Sequence, residues 1–261
     1  MYQEHGKFKE GAKVAQRTLK GLRKTIKSDD FIIQDTKKRL GTILQKLGEY
    51  SEAESLLREA LEVYTHQLCI DDYVALKVKW RLAWVLHDQG KYKEAEQISF
   101  ETWTAPKRTN GENHPDCLNS LFLFADDLQA QSNFEAALHY KRDVYAQAVA
   151  LLGPKHRMTL IAAASLAFFL VASVSTKGCF AAYEEAIGLY YAVLKGREDL
   201  LLRDHPETLS ARSDVATILG LRESFGEAEA LERETLKKVK AVLERDHTIV
   251  LASRENLACI L

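Results

Sequence analysis

Four histidines, His114, His156, His205 and His247, follow one another at steps of 42, 49 and 42 residues. A regular row of imidazoles raises the question of a metal site, and zinc needs its ligand atoms about 2 Å from one ion. If each histidine opens its own helical unit, neighbours stand roughly 10 Å apart or more, because packed helices are spaced that way. The spacing therefore favours helix capping over a shared ion, and no metal ligand is assigned. The doublets Asp71-Asp72 and Asp126-Asp127 are the other groups that could do chemistry, as general acid and base. They fall at helix starts or on helix faces, where no partner group is implied. No GxGxxG, GxxxxGK[ST], HExxH or GxSxG motif occurs. The expectation is a non-enzymatic chain with no catalytic residue and no cofactor.

Composition agrees with a binding role and narrows the partner. Of 261 residues, 46% are hydrophobic and only 4 are proline, so a sizeable core and long helices are allowed. The net charge is −1, which supplies no global field for nucleic acid. The charge is uneven, however: from Lys7 to Lys46, 12 basic residues meet 4 acidic ones, a local +8. That end reads first as a solvated helix face and second as a dock for acidic partners. Four cysteines without CxxC pairing suit a reducing compartment, and no signal-peptide core follows Met1. Met158 to Thr176 is uncharged over 19 residues but carries four Ser or Thr, so it reads as a core helix and no membrane partner is expected. A cytoplasmic location follows from these features.

An internal period positions these residues. Gly48-Glu49-Tyr50-Ser51-Glu52-Ala53 returns as Gly90-Lys91-Tyr92-Lys93-Glu94-Ala95, 42 residues later. The aromatic marker continues as Phe8, Tyr50, Tyr92, Phe134, Tyr183 and Phe225, and an opening marker as Asp30, Asp72, His114, His156, His205 and His247. Both series contain one step of 49, which places a seven-residue insertion between His156 and Tyr183, with Ser173 to Cys179 as the expected loop. Apolar residues at helical spacing, such as Leu40, Ile43, Leu44 and Leu47 and then Ala53, Leu56, Leu57 and Ala60, make each unit a helical hairpin. The predicted fold is all-α, an α-α superhelix of stacked hairpins in one array over 1–261. A partial unit 1–29 precedes units at about 30–71, 72–113, 114–155, 156–204 and 205–246, and a partial unit 247–261 follows. The first element, about Phe8 to Ile26, reads as a second helix alone and Thr248 to Leu261 as a first helix alone. A piece of a longer array is therefore expected, with self-association through unfinished ends as one consequence.

The order Leu82-Ala83…Leu86…Gly90-Lys91-Tyr92-Lys93-Glu94-Ala95 resembles the tetratricopeptide repeat. Its longer period and the openings His114-Pro115-Asp116-Cys117-Leu118 and His205-Pro206-Glu207-Thr208-Leu209 are similar to the kinesin light chain type. Such repeats also form the C-terminal arrays of nucleotide-binding signalling proteins. The resemblance implies a tetratricopeptide-like solenoid whose first helices line a ligand groove at positions two before, two after and five after the Leu of Leu-Ala. Those positions are Lys38, Thr42 and Gln45; Trp80, Trp84 and His87; Phe122, Asp126 and Gln129; Ala164, Phe168 and Val171; and Ser213, Thr217 and Gly220. The expected peptide site is basic at Lys38, Arg39 and Lys46 and polar at Thr42. It turns aromatic at Trp80, Trp84, Phe122 and Phe168, with His87, Asp126 and Gln129 between. Kinesin light chain arrays bind peptides with an aromatic residue among acidic ones, which implies a protein or peptide partner of that character. One row departs from the family: the Asn that contacts ligand backbone is here Arg39, Arg81, Leu123, Ser165 and Asp214, and is Asn only at Asn256. Two other functions stay open, a small-molecule or enzymatic pocket around His87 and Asp126, and a sensor or assembly module of a signalling receptor.

Overall fold

The computed structural model describes residues 2–68, 72–109, 115–177, 180–243 and 247–261. Among the described residues there are twelve helices and no strand. They are α1 (Tyr2–Thr25), α2 (Phe31–Leu47), α3 (Tyr50–Gln67), α4 (Tyr73–Asp88), α5 (Tyr92–Thr109) and α6 (Pro115–Ala130), then α7 (Phe134–Leu152), α8 (Arg157–Lys177), α9 (Phe180–Leu200), α10 (Pro206–Leu221), α11 (Phe225–Val242) and α12 (Thr248–Ile260). The fold is all-α, a solenoid-type succession of hairpins. Even-numbered helices are the first, or A, helix of each hairpin. The chain divides into two compact units, Met1–Tyr140 and Lys141–Leu261, with the division inside α7.

The opening markers cap the A helices. Asp30 and Asp72 accept the backbone N–H two residues on at 2.8 Å, and His156, His205 and His247 accept theirs through Nδ1 at 3.2 Å. A histidine can do this only as the neutral tautomer with a free Nδ1 lone pair. His114 lies outside the described residues.

In the first unit the A and B helices close on small residues. Ala53, Ala83, Ala95 and Ala125 are fully buried, and a Cβ built on Gly41 would stand 3.0 Å from Leu57 Cγ. Leu40, Leu44, Leu57, Leu82 and Leu86 fill the layers between, each contributing about 1.5–3 kcal/mol of apolar burial. The hairpin turn needs one residue in the left-handed region. Gly48 (φ 80°) and Gly90 (φ 77°) supply it, and Ser132 (φ 63°) takes it without glycine's freedom.

The second unit repeats this turn at Glu223 (φ 65°), but at the matched place after α8's core the backbone stays helical. There the matched residue is Val174, a β-branched residue for which the left-handed region is strongly disfavoured. The chain does not turn, and Ser173–Lys177, expected as loop, continues α8; residues 178 and 179 lie outside the described residues. α8 thereby has 21 residues against 16 in α4, α6 and α10. α9 starts three residues before Tyr183. Leu160, Ala163, Leu166, Ala167 and Leu170 are buried, whereas Phe168 is 63% exposed.

Candidate functional site

The residues assigned to a groove from α2, α4 and α6 all belong to the first unit, where these A helices are successive neighbours. On α2, Lys38 and Arg39 both pair with Asp35, Arg39 Nε at 2.7 Å, and the Arg39 side chain is 76% exposed. Burial works to raise the Asp35 carboxyl, but hydrogen bonds from Lys38 and Arg39 outweigh it and hold the group below its ordinary value. The basic entrance is thus half neutralised from within its own helix. Thr42 turns its hydroxyl to the Lys38 carbonyl at 3.0 Å, and Lys46 is exposed.

The aromatic stretch lies on α4. Trp80 and Trp84 are half-buried, and the Arg81 guanidinium stands 4.4 Å from the Trp80 ring. The Trp80 indole N–H is buried and makes no hydrogen bond, which costs about 1–3 kcal/mol for such a donor. Trp84 meets His87 edge-on with centroids 5.8 Å apart, and His87 meets Tyr92 at 5.3 Å.

His87 joins α4 to α6. Its Nδ1 lies 2.7 Å from Asp127 Oδ1, and the Asp127 side chain is fully buried. The bond to Asp127 raises the His87 pKa against the opposing effect of burial, so the imidazolium is favoured. Burial raises the Asp127 carboxyl, with His87 pulling the other way. Ser99 Oγ lies 3.3 Å from Asp127 Oδ2. The three types match a nucleophile triad, but the connectivity does not. The hydroxyl approaches the carboxylate, whereas a nucleophile must bond the imidazole that activates it. Phe122, Asp126 and Gln129 on α6 are half-buried, with Asp126 near enough to raise His87 further. A parallel link joins α2 to α4, where Gln45 Nε2 donates to Asp88 Oδ2 at 2.7 Å.

The sequence reading places Asp126 in the groove, sets Asp127 aside with the doublet, uses Tyr92 only as a repeat marker and assigns nothing to Ser99. A signal for Asp127 was available: the matched positions in the other units are Ile43, Val85, Phe169 and Ile218, all apolar. An acid at a position otherwise reserved for core must have a dedicated partner.

Phe168 belongs to the second unit, so it is not joined here to the Trp80, Trp84 and Phe122 set. The polar centre of that unit is a chain from α12 to α11. Asn256 Nδ2 donates to Ser213 Oγ at 2.9 Å, and Ser213 Oγ donates to Glu232 Oε1 at 2.8 Å. The one asparagine that matches the family's ligand-contacting row is therefore engaged inside the protein. Beside it, burial pushes the Asp214 carboxyl up to about 6, with Arg197 opposing and Glu232 assisting.

Tetratricopeptide-repeat models match residues 33–99 and 208–249. No curated protein matches the chain by sequence. Among solved structures, nearly identical kinesin-light-chain-type repeats of Podosopora anserina align at 21% identity and TM-score 0.61, covering 77% of this chain and 92% of that one. BtubC of P. vanneervenii aligns at 17% identity and TM-score 0.74, covering 90% and 92%. A signal transduction ATPase with a tetratricopeptide repeat sensor, from Pyrococcus horikoshii, aligns at 15% identity and TM-score 0.69, covering 94% of this chain and 35% of that one. At such identities these likenesses establish the fold.

Proposed function

We propose, from the premise that the chain carries tetratricopeptide repeats and resembles the kinesin light chain type, that the A-helix face of α2, α4 and α6 binds a peptide segment of a partner protein. The observation that carries this reading is the half-buried aromatic set on α4. Trp80 presents a buried donor without an acceptor, and Trp84 lies against His87, whose orientation Asp127 controls. Indole rings with unmet polar capacity, flanked by a group of fixed orientation, are what a peptide anchor needs. An aromatic or aliphatic side chain packs on Trp80, Trp84 and Phe122, and acidic residues meet Lys38 and Arg39. The role we assign is binding, since the Ser99 hydroxyl meets Asp127 and not the imidazole that would have to activate it. A sensor array within a signalling receptor would use the same face.

Peptides selected from a random library against the purified chain test this. The expected winners carry an aromatic residue among acidic ones, lose about tenfold or more in affinity with Trp84→Ala, and weaken with Lys38→Glu. Selected peptides indifferent to both substitutions would remove the A-helix face as the site.

A further inference from the structure

A second candidate site lies in the second unit, away from α2, α4 and α6, and does not depend on the reading above. The start of α8, the end of α9 and the start of α10 enclose a cavity of about 300 Å³, the lower end of the range for ligand pockets. Its walls are apolar. Leu160 is buried and Ile161 half-buried, and Leu200 stands at the rim 53% exposed. The Leu160 wall is held closely by α9, since a Cβ on Gly196 would stand 2.5 Å from Leu160 Cδ2.

Two guanidiniums, one imidazole and one carboxylate reach the same cavity, from Arg157, Arg197, His205 and Glu207. Among the described residues, Arg197 donates through Nη1 to the Glu207 carbonyl at 2.6 Å, and its other N–H groups are open to a ligand. His205 Nδ1 accepts from the Glu207 N–H at 3.2 Å, so its proton is on Nε2 and available as a donor. Arg157 Nη2 stands 3.5 Å from Glu207 Oε1, well beyond the 2.7–2.9 Å of a strong charge-assisted bond. Glu207 is itself 43% exposed and free to swing outward. In the lining itself two guanidiniums face one carboxylate, and Asp214 is a further negative charge that acts on Arg197, so Arg157 carries the cation least matched by the protein.

We infer that this cavity binds an aliphatic group ending in a carboxylate. The hydrocarbon, of leucine side-chain size, packs on Leu160, Ile161 and Leu200. The carboxylate displaces Glu207 from Arg157 and takes donors from Arg157, Arg197 and His205. A free branched-chain acid and the C-terminal residue of a polypeptide share this chemistry.

Titration of the ¹⁵N-labelled full chain with N-acetyl-leucine, read by amide shifts of Ile161, Arg197, Leu200 and Glu207, tests the site. Saturable binding is expected, with little response to N-acetyl-leucinamide, which lacks the charge. Arg157→Glu, at a side chain 75% exposed, should weaken binding about tenfold. Glu207→Gln, which removes the competing carboxylate, should tighten it several-fold. A peptide Gly-Ser-Gly-Ser-Gly-Leu with a free terminus separates the sources: tighter binding than N-acetyl-leucine identifies a polypeptide end, and weaker binding a small acid. Equal response to acid and amide, no saturation, or indifference to both substitutions would overturn the inference.

Discussion

Each unit buries one carboxylate completely, Asp127 in the first and Glu232 in the second, and the two have different partners. Asp127 faces an imidazole at 2.7 Å, so ionisation is shared between the two groups. Glu232 accepts the Ser213 hydroxyl through Oε1, and burial raises its pKa against the opposing pull of Ser253 and Ser213. Burial is the larger influence on both carboxyls and raises each, and the difference lies in what pulls the other way, an imidazole for Asp127 and hydroxyls for Glu232. The hydrogen-bonded pair in the first unit orients His87 toward the aromatic face. A carboxyl with only hydroxyl partners in the second has no such consequence and serves packing among α10, α11 and α12.

The strongest way to break this comparison is to remove one member of the pair. Asp127→Ala strips the partner from His87, leaves Ser99 facing a void and should cost about 3 kcal/mol or more. Glu232→Gln keeps an acceptor for Ser213 and should cost less than about 1 kcal/mol. Denaturant midpoints of the two variants read the contrast directly. Equal losses would show that burial alone, and not the ionic partner, governs both sites.

The same contrast has a pH signature. His87 and Asp214 both have raised folded-state values, so each contributes stability that is present below its unfolded value and lost as pH rises through the folded one. For Asp214 the window runs from its ordinary value of 3.8 to about 6, in the second unit. For His87 it starts at its ordinary value of 6.5 and extends above, in the first unit. Asp127 in the first unit and Glu232 in the second are raised too, so both units should loosen as pH rises out of the acid range, and a step above 6.5 is expected in the first unit, as read by amide exchange in each. Asp214→Asn should shrink the second unit's step and His87→Gln should remove the first unit's upper one. A glutamine at 87 repeats Gln45 and Gln129 and can still donate to Asp127. If His87→Gln leaves the upper step in place, the titrating group is not this histidine.

The period of 42 and its markers made the hairpins, their caps and their small-residue seams legible, because these are local or nearest-neighbour requirements repeated many times. What was not legible depended on single exceptions within that repetition. Asp127 required noticing one acid in an apolar row. The extension of α8 required noticing that Val174 occupies the turn position, where the insertion alone suggested a loop. Asp35 reaching both Lys38 and Arg39 is a choice between rotamers that spacing permits but does not select. The cavity beside Arg157 and Arg197 joins residues 157 to 207 across two loops, beyond the reach of any one unit's pattern.

The smallest expected effect compares the two units at their turns. Ser132 and Glu223 hold φ of 63° and 65°, where Gly48 and Gly90 do so without strain. A left-handed residue with a Cβ costs roughly 1–2 kcal/mol, partly offset by the greater chain entropy that glycine loses on folding. Ser132→Gly and Glu223→Gly should each raise stability by about 0.5–1 kcal/mol, measured as a shift in denaturation midpoint. Glutamate has no short polar group to bond its own backbone in this conformation, so the gain should be larger at 223 than at 132. A loss at either site would mean that the side chain, through its contacts, holds the turn more firmly than the backbone conformation opposes it.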